Sequence, residues 1–255
     1  MKTESIQQIK ALLATIDKRD DVRISLWQAD ERSGVQQALA QWDRRLQRHE
    51  KEVALFEEMQ LFEKRARATG HRLIVGIDEV GRGPLAGPVV AAAVILPENF
   101  QLLGVNDSKK LSAKKRAKLY DEIQNQAISI GIGMVDHTKI DEINIYQASK
   151  LAMGIALEDL CFIPDYLLID AMKLDVDIPQ ESIIKGDARS ISIAAASIVA
   201  KVIRDRLMED YAKKYPGYGF ENNAGYGTKE HLLGLEQHGI CTIHRKTFAP
   251  IKDMY

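Results

Sequence analysis

Ile-Asp-Glu-Val-Gly-Arg-Gly-Pro-Leu-Ala-Gly-Pro, residues 77–88, is the stretch that decides how this chain folds. The apolar, β-branched run just before it, residues 73–77, predicts a buried strand that ends in Asp78 and Glu79. Because neighbouring side chains on a strand point to opposite faces, the two carboxylates share one cation only if the chain bends at Glu79. The glycines that follow allow such a bend, but a polar strand end entering a glycine turn explains the same residues. The stretch by itself leaves its chemistry open.

Two further acids occupy comparable positions along the chain. Asp170 closes the apolar run at residues 166–169, as Asp78 closes its own run, and Asp187 precedes a segment of small residues that predicts a helix. Asp187 alone is also explained as a helix N-cap. Carboxylate oxygens suit Mg²⁺ or Mn²⁺, and two such ions about 4 Å apart can hold the attacking water and the leaving oxygen of a phosphodiester. The set of acids therefore indicates metal-assisted phosphodiester chemistry.

Strand-like and helix-like segments alternate after Gly70, which predicts an α/β fold with helices packed on a central sheet. The predicted strands are residues 73–77, 89–96, 128–135 and 166–169. The predicted helices are residues 114–126, 148–160, 192–211 and 229–238. Asp175 and Asp177 lie between a lysine and a proline, so we expect a solvated loop there and leave them out of the site.

The sequence before Gly70 is charged and helical, so we predict an N-terminal helical extension over residues 1–70 and a catalytic domain over residues 71–255. Apolar positions at alternating steps of four and three predict a long helix over residues 36–68, with a shorter helix over residues 5–16 as its partner. The positions on that seam are Val35, Leu39, Trp42, Leu46, His49, Val53 and Phe56. The basic residues of the long helix, Arg44, Arg45 and Arg48, fit either a nucleic-acid contact or a solvated face, and we favour the solvated face. We assign no catalytic role to the extension.

The amino-acid composition excludes some classes of protein but does not identify an activity. The chain has 255 residues, a formal net charge of −1 and 45% hydrophobic residues, so it is long enough for a folded domain and carries no overall polycationic character. Its two cysteines, Cys161 and Cys241, are far apart, which argues against a disulfide framework and favours the cytoplasm. The N-terminus lacks an apolar signal core, and the longest apolar run, residues 89–96, is too short to cross a bilayer.

Longer motifs that contain these acids resemble, in order, those of type 2 ribonuclease H, the ribonuclease HII family. The matching strings are Asp78-Glu79-Val80-Gly81-Arg82-Gly83, Asn106-Asp107-Ser108-Lys109-Lys110-Leu111, Leu168-Ile169-Asp170, Lys185-Gly186-Asp187-Ala188 and Ser197-Ile198-Val199-Ala200-Lys201. The resemblance covers about residues 72–250 and implies an RNase H-like fold, a mixed sheet flanked by helices with its active-site acids on one rim. An aspartate at the fourth acidic position favours type 2, because the related type 3 enzymes carry glutamate there.

The resemblance also implies roles for individual residues. Asp78, Glu79, Asp170 and Asp187 would form the catalytic quartet, the first three as ligands of a divalent cation, Mn²⁺ or Mg²⁺. The main chain of Gly81, Arg82 and Gly83 would contact the ribose 2′-hydroxyl, Lys109 would contact a phosphate, and Tyr226 would stack on the deoxyribose that follows a ribonucleotide. We expect Tyr218 to be structural, and the basic run after Lys109 fits a phosphate contact or a solvated helix face equally well.

We therefore predict a monomeric endonuclease that acts on RNA–DNA hybrids and on single ribonucleotides embedded in duplex DNA, cleaving on their 5′ side. It would leave 3′-hydroxyl and 5′-phosphate ends and remove misincorporated ribonucleotides and RNA primers. The alternatives are another RNase H-fold nuclease, such as a hybrid-specific enzyme or a junction resolvase, and a noncatalytic nucleic-acid-binding module. A zinc site built on His231, His238, Cys241 and His244 is disfavoured, as are a Ser-His-Asp triad and a P-loop.

Overall fold

The structure, a computed structural model, describes residues 4–254. Packing divides the chain into two compact units, one ending at Glu57 and the other beginning at Glu58. The sequence-based boundary near Gly70 stays a prediction, and it differs from this division in the placement of a helix, Leu61–Ala68, that packs within the second unit. Apolar side chains of that helix, including Ala66, share a core with the sheet of the second unit.

The first unit contains three helices, α1 (Ile6–Thr15), α2 (Val22–Gln28) and the first part of α3 (Ser33–Met59). The helix predicted over residues 5–16 is confirmed, and a reciprocal capping box between Ser5 and Gln8 begins it. The prediction missed α2 because seven residues are too few for a clear helical period. The core of the unit consists of buried side chains from all three helices: Ile9, Leu13, Ile16, Ile24, Trp27, Val35, Ala38, Leu39, Trp42 and Leu46.

The single long helix predicted over residues 36–68 is interrupted at Gln60, where α3 ends and α4 (Leu61–Ala68) begins. The predicted seam is buried from Val35 to Leu46 but reaches solvent at His49. Arg44, Arg45 and Arg48 are exposed, as expected of a solvated face, and the Arg45 guanidinium in addition donates to carbonyls at the C-terminal end of α1, including Ile16 O at 2.6 Å. It therefore satisfies carbonyl groups that have no partner within α1.

The second unit is built on a five-stranded mixed sheet in the order β3-β2-β1-β4-β5. Its strands are β1 (Ile74–Val80), β2 (Val89–Ile95), β3 (Ser129–Val135), β4 (Tyr166–Asp170) and β5 (Gln180–Ile183). The first three strands form an antiparallel meander, whereas β4 runs parallel to β1 and β5 runs parallel to β4. The prediction found the first four strands and missed β5, which is short and polar in composition.

Helices cover both faces of this sheet, which confirms the predicted α/β architecture. α6 (His137–Glu158) packs on one face and α7 (Ile191–Lys214) on the other, and this unit also contains α5 (Ala113–Gln126), α8 (Phe220–Asn223) and α9 (Lys229–His238). Val75 and Ile77 of β1 pack with α6, whereas the alternate residues Ile74 and Gly76 face α7. No helix within residues 4–254 combines the length and the apolar character that a bilayer span requires.

The contact between β1 and α7 depends on Gly76. A Cβ at this position would overlap the backbone of Ser192 and Ile193 at the start of α7. The missing side chain lets the first turn of α7 lie directly on the strand that carries Asp78. This close approach sets the distance between the sheet rim and the segment that contains Asp187.

Candidate active site

The register of two parallel strands brings Asp78 and Asp170 together. Ile77 of β1 pairs with Ile169 of β4, so the acid that follows each of them occupies an equivalent position at the same rim of the sheet. Both acids lie on the α7 face, since they alternate with Ile77 and Ile169, which pack on the α6 side. Asp78 is only 5% exposed, and Asp170 is half-buried. The predicted pairing of two strand-end acids is therefore what the sheet produces.

Glu79 reaches this rim differently from the way the sequence suggested. The bend expected at Glu79 is absent, because β1 stays in regular register with β2 through Glu79↔Ala91 and Val80↔Val90. Glu79 therefore leaves the strand on the face opposite to Asp78. Its longer side chain forms an ion pair with Arg82 at 3.3 Å, and its carboxylate remains within the electrostatic field of Asp170.

Asp187 comes to the rim on a short 3₁₀ helix, Gly186–Ala188, just before α7. The backbone N–H of Gly186 donates to Asp170 Oδ1 at 2.6 Å, which ties this turn to the end of β4. The alternative that Asp187 is a helix cap is wrong, because Ser190 is the N-cap of α7 and its hydroxyl accepts from Ile193 N. The Asp187 carboxylate is thus left available for the site.

The four acids repel one another in a poorly hydrated setting. Burial, followed by the charges of Glu79 and Asp170, raises the pKa of Asp78 well above its usual value. Burial, opposed by Arg82 and reinforced by Asp170, raises the pKa of Glu79 to about 7. Burial and neighbouring carboxylates also raise the pKa of Asp187. A cluster of carboxyl groups with raised pKa values favours the binding of a cation.

The donor chemistry of this rim fits a hard divalent cation. Four carboxyl groups supply oxygen ligands, and Glu79 Oε2 is buried without a hydrogen-bond partner, so a cation would satisfy an atom that the protein leaves unpaired. Within residues 4–254, however, no group of three or more His, Cys, Asp or Glu side chains is arranged to close around a metal ion. Side-chain adjustment at the rim would accompany binding of the cation.

The glycine-bracketed turn lies directly beside these acids. Gly81 has φ of +95°, and a Cβ there would overlap the side chain of Arg204, so both the backbone angle and the space require glycine. Gly83 lies against the ring of Tyr226, since a Cβ at Gly83 would be 3.5 Å from Tyr226 Cε1. The turn and the tyrosine predicted to read the sugar edge are therefore neighbours, and the Tyr226 side chain is partly exposed.

Lys109 is the predicted phosphate contact with the best support from its surroundings. It lies on the 3₁₀ helix Ser108–Lys110. Burial disfavours its charged form, but the negative charges of Asp78 and Asp187 outweigh this effect, so the pKa of Lys109 is raised. Ser108 also links this segment to the acids, because its hydroxyl lies 2.9 Å from Ser197 Oγ and Ser197 hydrogen-bonds Asp78. Lys109 thus lies beside the carboxylates, on a segment that hydrogen bonds connect to Asp78 through Ser108 and Ser197.

Sequence reasoning missed two buried arginines that hold the glycine turn. Arg245 donates to the carbonyl oxygens of Gly81 at 2.6 Å, Arg82 at 2.9 Å and Gly87 at 3.0 Å. Arg204 donates to three other carbonyls in the same region: Pro88 O, Ala224 O and Ala86 O. Both side chains are fully buried, so neither guanidinium is available to a phosphate. Neither arginine carried a local signal, because Arg204 is followed by Asp205 and Arg206 and Arg245 lies between His244 and Lys246.

His231 and His244, two of the residues disfavoured above as zinc ligands, form a structural cluster. His231 and His244 are buried, their Nε2 atoms lie 3.0 Å apart, and His231 Nδ1 lies 3.0 Å from Tyr226 O. Burial lowers the pKa of His244 to about 4, so we expect neutral rings near pH 7. Tyr218 is buried beside them and donates to Gly239 O, in agreement with its predicted structural role.

Comparison with known proteins identifies the family. The family model "Ribonuclease HII" matches residues 75–251, and the model "Ribonuclease HII N-terminal domain" matches residues 5–67. A protein from Enterococcus faecalis named ribonuclease HII is 69% identical over 254 residues, covering 100% of both chains. The resemblance stated for residues 72–250 is thereby confirmed, and the second model extends the similarity to the N-terminal helical region, which the resemblance did not cover.

Solved structures agree with the fold. The ribonuclease H2 of Pyrococcus horikoshii superposes with a TM-score of 0.60 at 27% identity, covering 71% of this chain and 96% of that one. The ribonuclease HII of Archaeoglobus fulgidus, solved as a complex with PCNA, gives a TM-score of 0.59 at 27% identity, covering 69% and 95%. The predicted RNase H-like fold is confirmed. The chain belongs to the ribonuclease HII family, and it is a ribonuclease H-type endonuclease.

Proposed function

We propose that the enzyme cleaves the phosphodiester on the 5′ side of ribonucleotides, both in RNA–DNA hybrids and at single ribonucleotides within duplex DNA. The products would carry 3′-hydroxyl and 5′-phosphate ends, as the family resemblance implies. In the cell this activity would remove misincorporated ribonucleotides and RNA primers. The two free cysteines, one of them exposed, favour a reducing compartment, and we propose the cytoplasm.

One observation supports this proposal most strongly. The strand register aligns Asp78 with Asp170, the Gly186–Asp170 hydrogen bond adds Asp187, and the turn with Gly83 and Tyr226 lies alongside. A carboxylate rim next to exposed backbone and an aromatic ring combines the parts that hydrolysis and sugar recognition need. A noncatalytic binding module would have no need for four carboxyl groups gathered at one rim, where burial raises the pKa of each.

Asp78, Glu79 and Asp170 would hold the divalent cation, Mg²⁺ or Mn²⁺, with Glu79 reaching it around the strand end by its longer side chain instead of through a bend of the main chain. When bound, such a cation activates water and stabilises the negative charge that develops on the phosphate. The chain's own contribution is to gather the carboxylates: the sheet positions Asp78 and Asp170, and the Arg82 ion pair restrains Glu79. Asp187 would orient the attacking water from the opposite side of the rim, since its turn is tied to Asp170.

Selection of a ribonucleotide would depend on the glycine turn and Tyr226. The 2′-hydroxyl both donates and accepts hydrogen bonds, so backbone groups of Gly81, Arg82 and Gly83 can recognise it at close range. The turn is restrained by buried hydrogen bonds, because Arg245 donates to Gly81 O and Arg204 donates to Pro88 O at the end of the same loop. Tyr226, in van der Waals reach of Gly83, would pack on the next sugar, and Lys109 would contact a nearby phosphate.

The test is cleavage of a labelled DNA duplex that contains one ribonucleotide, in Mg²⁺, Mn²⁺ or chelator, by wild type and Asp78→Asn. We expect metal-dependent incision 5′ of the ribonucleotide in wild type and at least a 1,000-fold loss in Asp78→Asn, with an unchanged circular dichroism spectrum. Robust cleavage of an RNA–DNA hybrid without incision of this duplex would instead indicate a hybrid-specific enzyme. A folded Asp78→Asn protein with normal activity would refute the assignment of the site.

A further inference from the structure

Glu63 is a buried acid outside all the motifs that carry the family resemblance. It lies on α4, in the second compact unit, and is only 2% exposed. Its Oε1 accepts a hydrogen bond from Ser190 Oγ at 2.6 Å and a second from the backbone N–H of Ser192 at 3.0 Å. A glutamate from α4 therefore binds the first residues of α7.

These partners place Glu63 next to the turn that carries Asp187. Ser190 follows Asp187 by three residues, and its backbone N–H bonds to Gly186 O at 2.8 Å, so the turn closes on itself just before α7. Asp170 holds the beginning of the same turn through Gly186 N, and Glu63 holds its end through Ser190. The Asp187 carboxylate thus stands on a short segment that is anchored on both sides by a buried or half-buried acid.

The anchor is built at a cost. Glu63 Oε2 is buried without a hydrogen-bond partner, and burial raises the pKa of this carboxyl group. An unpaired buried oxygen is unfavourable, so a side chain selected only for stability would avoid it. Glu63 shares in capping α7, because it accepts from Ser192 N while Ser190 accepts from Ile193 N, but capping alone requires no bond to the Ser190 hydroxyl. What Glu63 adds is a fixed position for the Ser190 hydroxyl.

We propose that Glu63 is a positioning residue for the reaction, which fixes the Asp187 turn against the sheet rim from the opposite side to Asp170. The proposal rests on the proposed role of Asp187 as a catalytic carboxylate. It gives α4 a part in catalysis, although α4 lies within residues 1–70, for which the sequence predicted no catalytic role. Removal of this anchor would let the turn shift while β1 and β4 keep Asp78 and Asp170 in register.

The experiment compares four full-length proteins: wild type, Glu63→Ala, Glu63→Gln and Lys64→Ala. Lys64 is an exposed neighbour on the same helix and serves as the matched control. The measurements are kcat and KM for cleavage, the divalent-ion concentration that gives half the maximal rate, and the thermal unfolding midpoint. Each rate is measured well below the lowest unfolding midpoint of the set, so that all the proteins are folded.

We expect Glu63→Ala to lower kcat about 10- to 100-fold with KM changed less than about 2-fold, because a shifted turn would misplace the Asp187 carboxylate. Glu63→Gln should keep kcat within about 3-fold, because its carbonyl oxygen accepts the same two hydrogen bonds. Lys64→Ala should match wild type. If Glu63→Ala does not fold, Glu63→Asp replaces it, since the shorter side chain withdraws the acceptor from Ser190 and should lower kcat likewise.

Two results would overturn the proposal. One is a Glu63→Ala or Glu63→Asp protein with a lower unfolding midpoint but wild-type kcat and metal dependence, which would make Glu63 only structural. The other is a Glu63→Gln protein as slow as Glu63→Ala, which would exclude positioning by hydrogen-bond acceptance. Rates on an RNA–DNA hybrid are measured in parallel, so failure of single-ribonucleotide cleavage in wild type is distinguished from failure of the Glu63 proposal.

Discussion

Asp78 and Glu79 keep ionisable carboxyl groups in surroundings that favour their neutral forms. Asp78 is buried against α7 and faces the charges of Glu79 and Asp170, and Glu79 has one oxygen without a partner. The native state of the metal-free protein therefore retains protons on these groups at pH values where the unfolded chain has released them. This difference makes the stability of the protein depend on pH in a defined direction.

We predict that the metal-free protein loses stability as pH rises from about 4.5 to about 7. The pKa of Glu79 is about 7 in the folded protein against an ordinary value of 4.5. Unfolding therefore releases a proton in this interval, and rising pH favours the unfolded state. At about 1.4 kcal/mol for each pKa unit, Glu79 alone accounts for a loss of about 3 kcal/mol. Urea unfolding in chelator at pH 5, 6, 7 and 8 measures this slope.

The control for this prediction is Glu79→Gln, which removes the titrating group and should flatten the dependence on pH. Addition of Mg²⁺ or Mn²⁺ at pH 8 should stabilise wild type more than Glu79→Gln, because the cation replaces the missing proton. A wild-type profile in chelator that is no steeper than that of Glu79→Gln would contradict the assignment of a raised pKa to this carboxyl group.

The turn after β1 shows how an element obtains rigidity without regular secondary structure. The carbonyls of Gly81 and Arg82 accept hydrogen bonds from Arg245, and those of Ala86 and Pro88, further along the same loop, accept from Arg204. A buried guanidinium carries a large desolvation cost, but several simultaneous carbonyl acceptors satisfy its donors. The hydrogen-bond network thus fixes the turn and orients it toward the neighbouring acids.

We predict that Gly81→Ala destabilises the protein by about 3 kcal/mol and abolishes cleavage. The backbone angle φ of +95° strains any other residue, and the added methyl group would displace Arg204. Gly83→Ala is the matched control, because its added Cβ meets only the Tyr226 ring at an ordinary 3.5 Å. Thermal unfolding should separate the two variants by several degrees; similar midpoints would show that the turn relaxes around Arg204.

At the scale of the whole molecule, the chain has two compact units with separate cores. The core of the first unit is centred on Trp42, which is buried and donates from Nε1 to Ile16 O at 2.8 Å. The core of the second unit includes the sheet that carries the acids. We therefore expect damage to the first core to leave the chemistry of the second unit intact.

We predict that Trp42→Ala destabilises the first unit by about 3–5 kcal/mol while cleavage keeps its wild-type kcat. Hydrogen exchange should show lost protection in α1 and α2 and retained protection in β1 and β4. Leu26→Ala is the control, because Leu26 is 71% exposed and its removal should change little. Loss of protection in β1, or a lower kcat for the folded variant, would show instead that the two units fold as one.

The strongest sequence signals were local, and they gave correct results. Apolar runs of residues predicted β1 to β4 and α5, and the longer motifs predicted the family, because each depends on neighbours in the chain. Weak local signals failed: β5 is short and polar, and α3 stops at Gln60 without a proline or glycine to mark the end. The roles of the candidate site residues stay predictions that the experiments above address.

What the sequence by itself determined is the identity of the acids, the glycine turn and the order of the elements that carry them. Only the tertiary structure decided that Asp78 and Asp170 share a strand register, that Glu79 approaches from the other face, and that Ser190 rather than Asp187 caps α7. Only packing could place Glu63 against Ser190, or Arg245 beneath Gly81. The physical reason is that these contacts join residues far apart in the chain, where neither periodicity nor a motif records which side chains will meet.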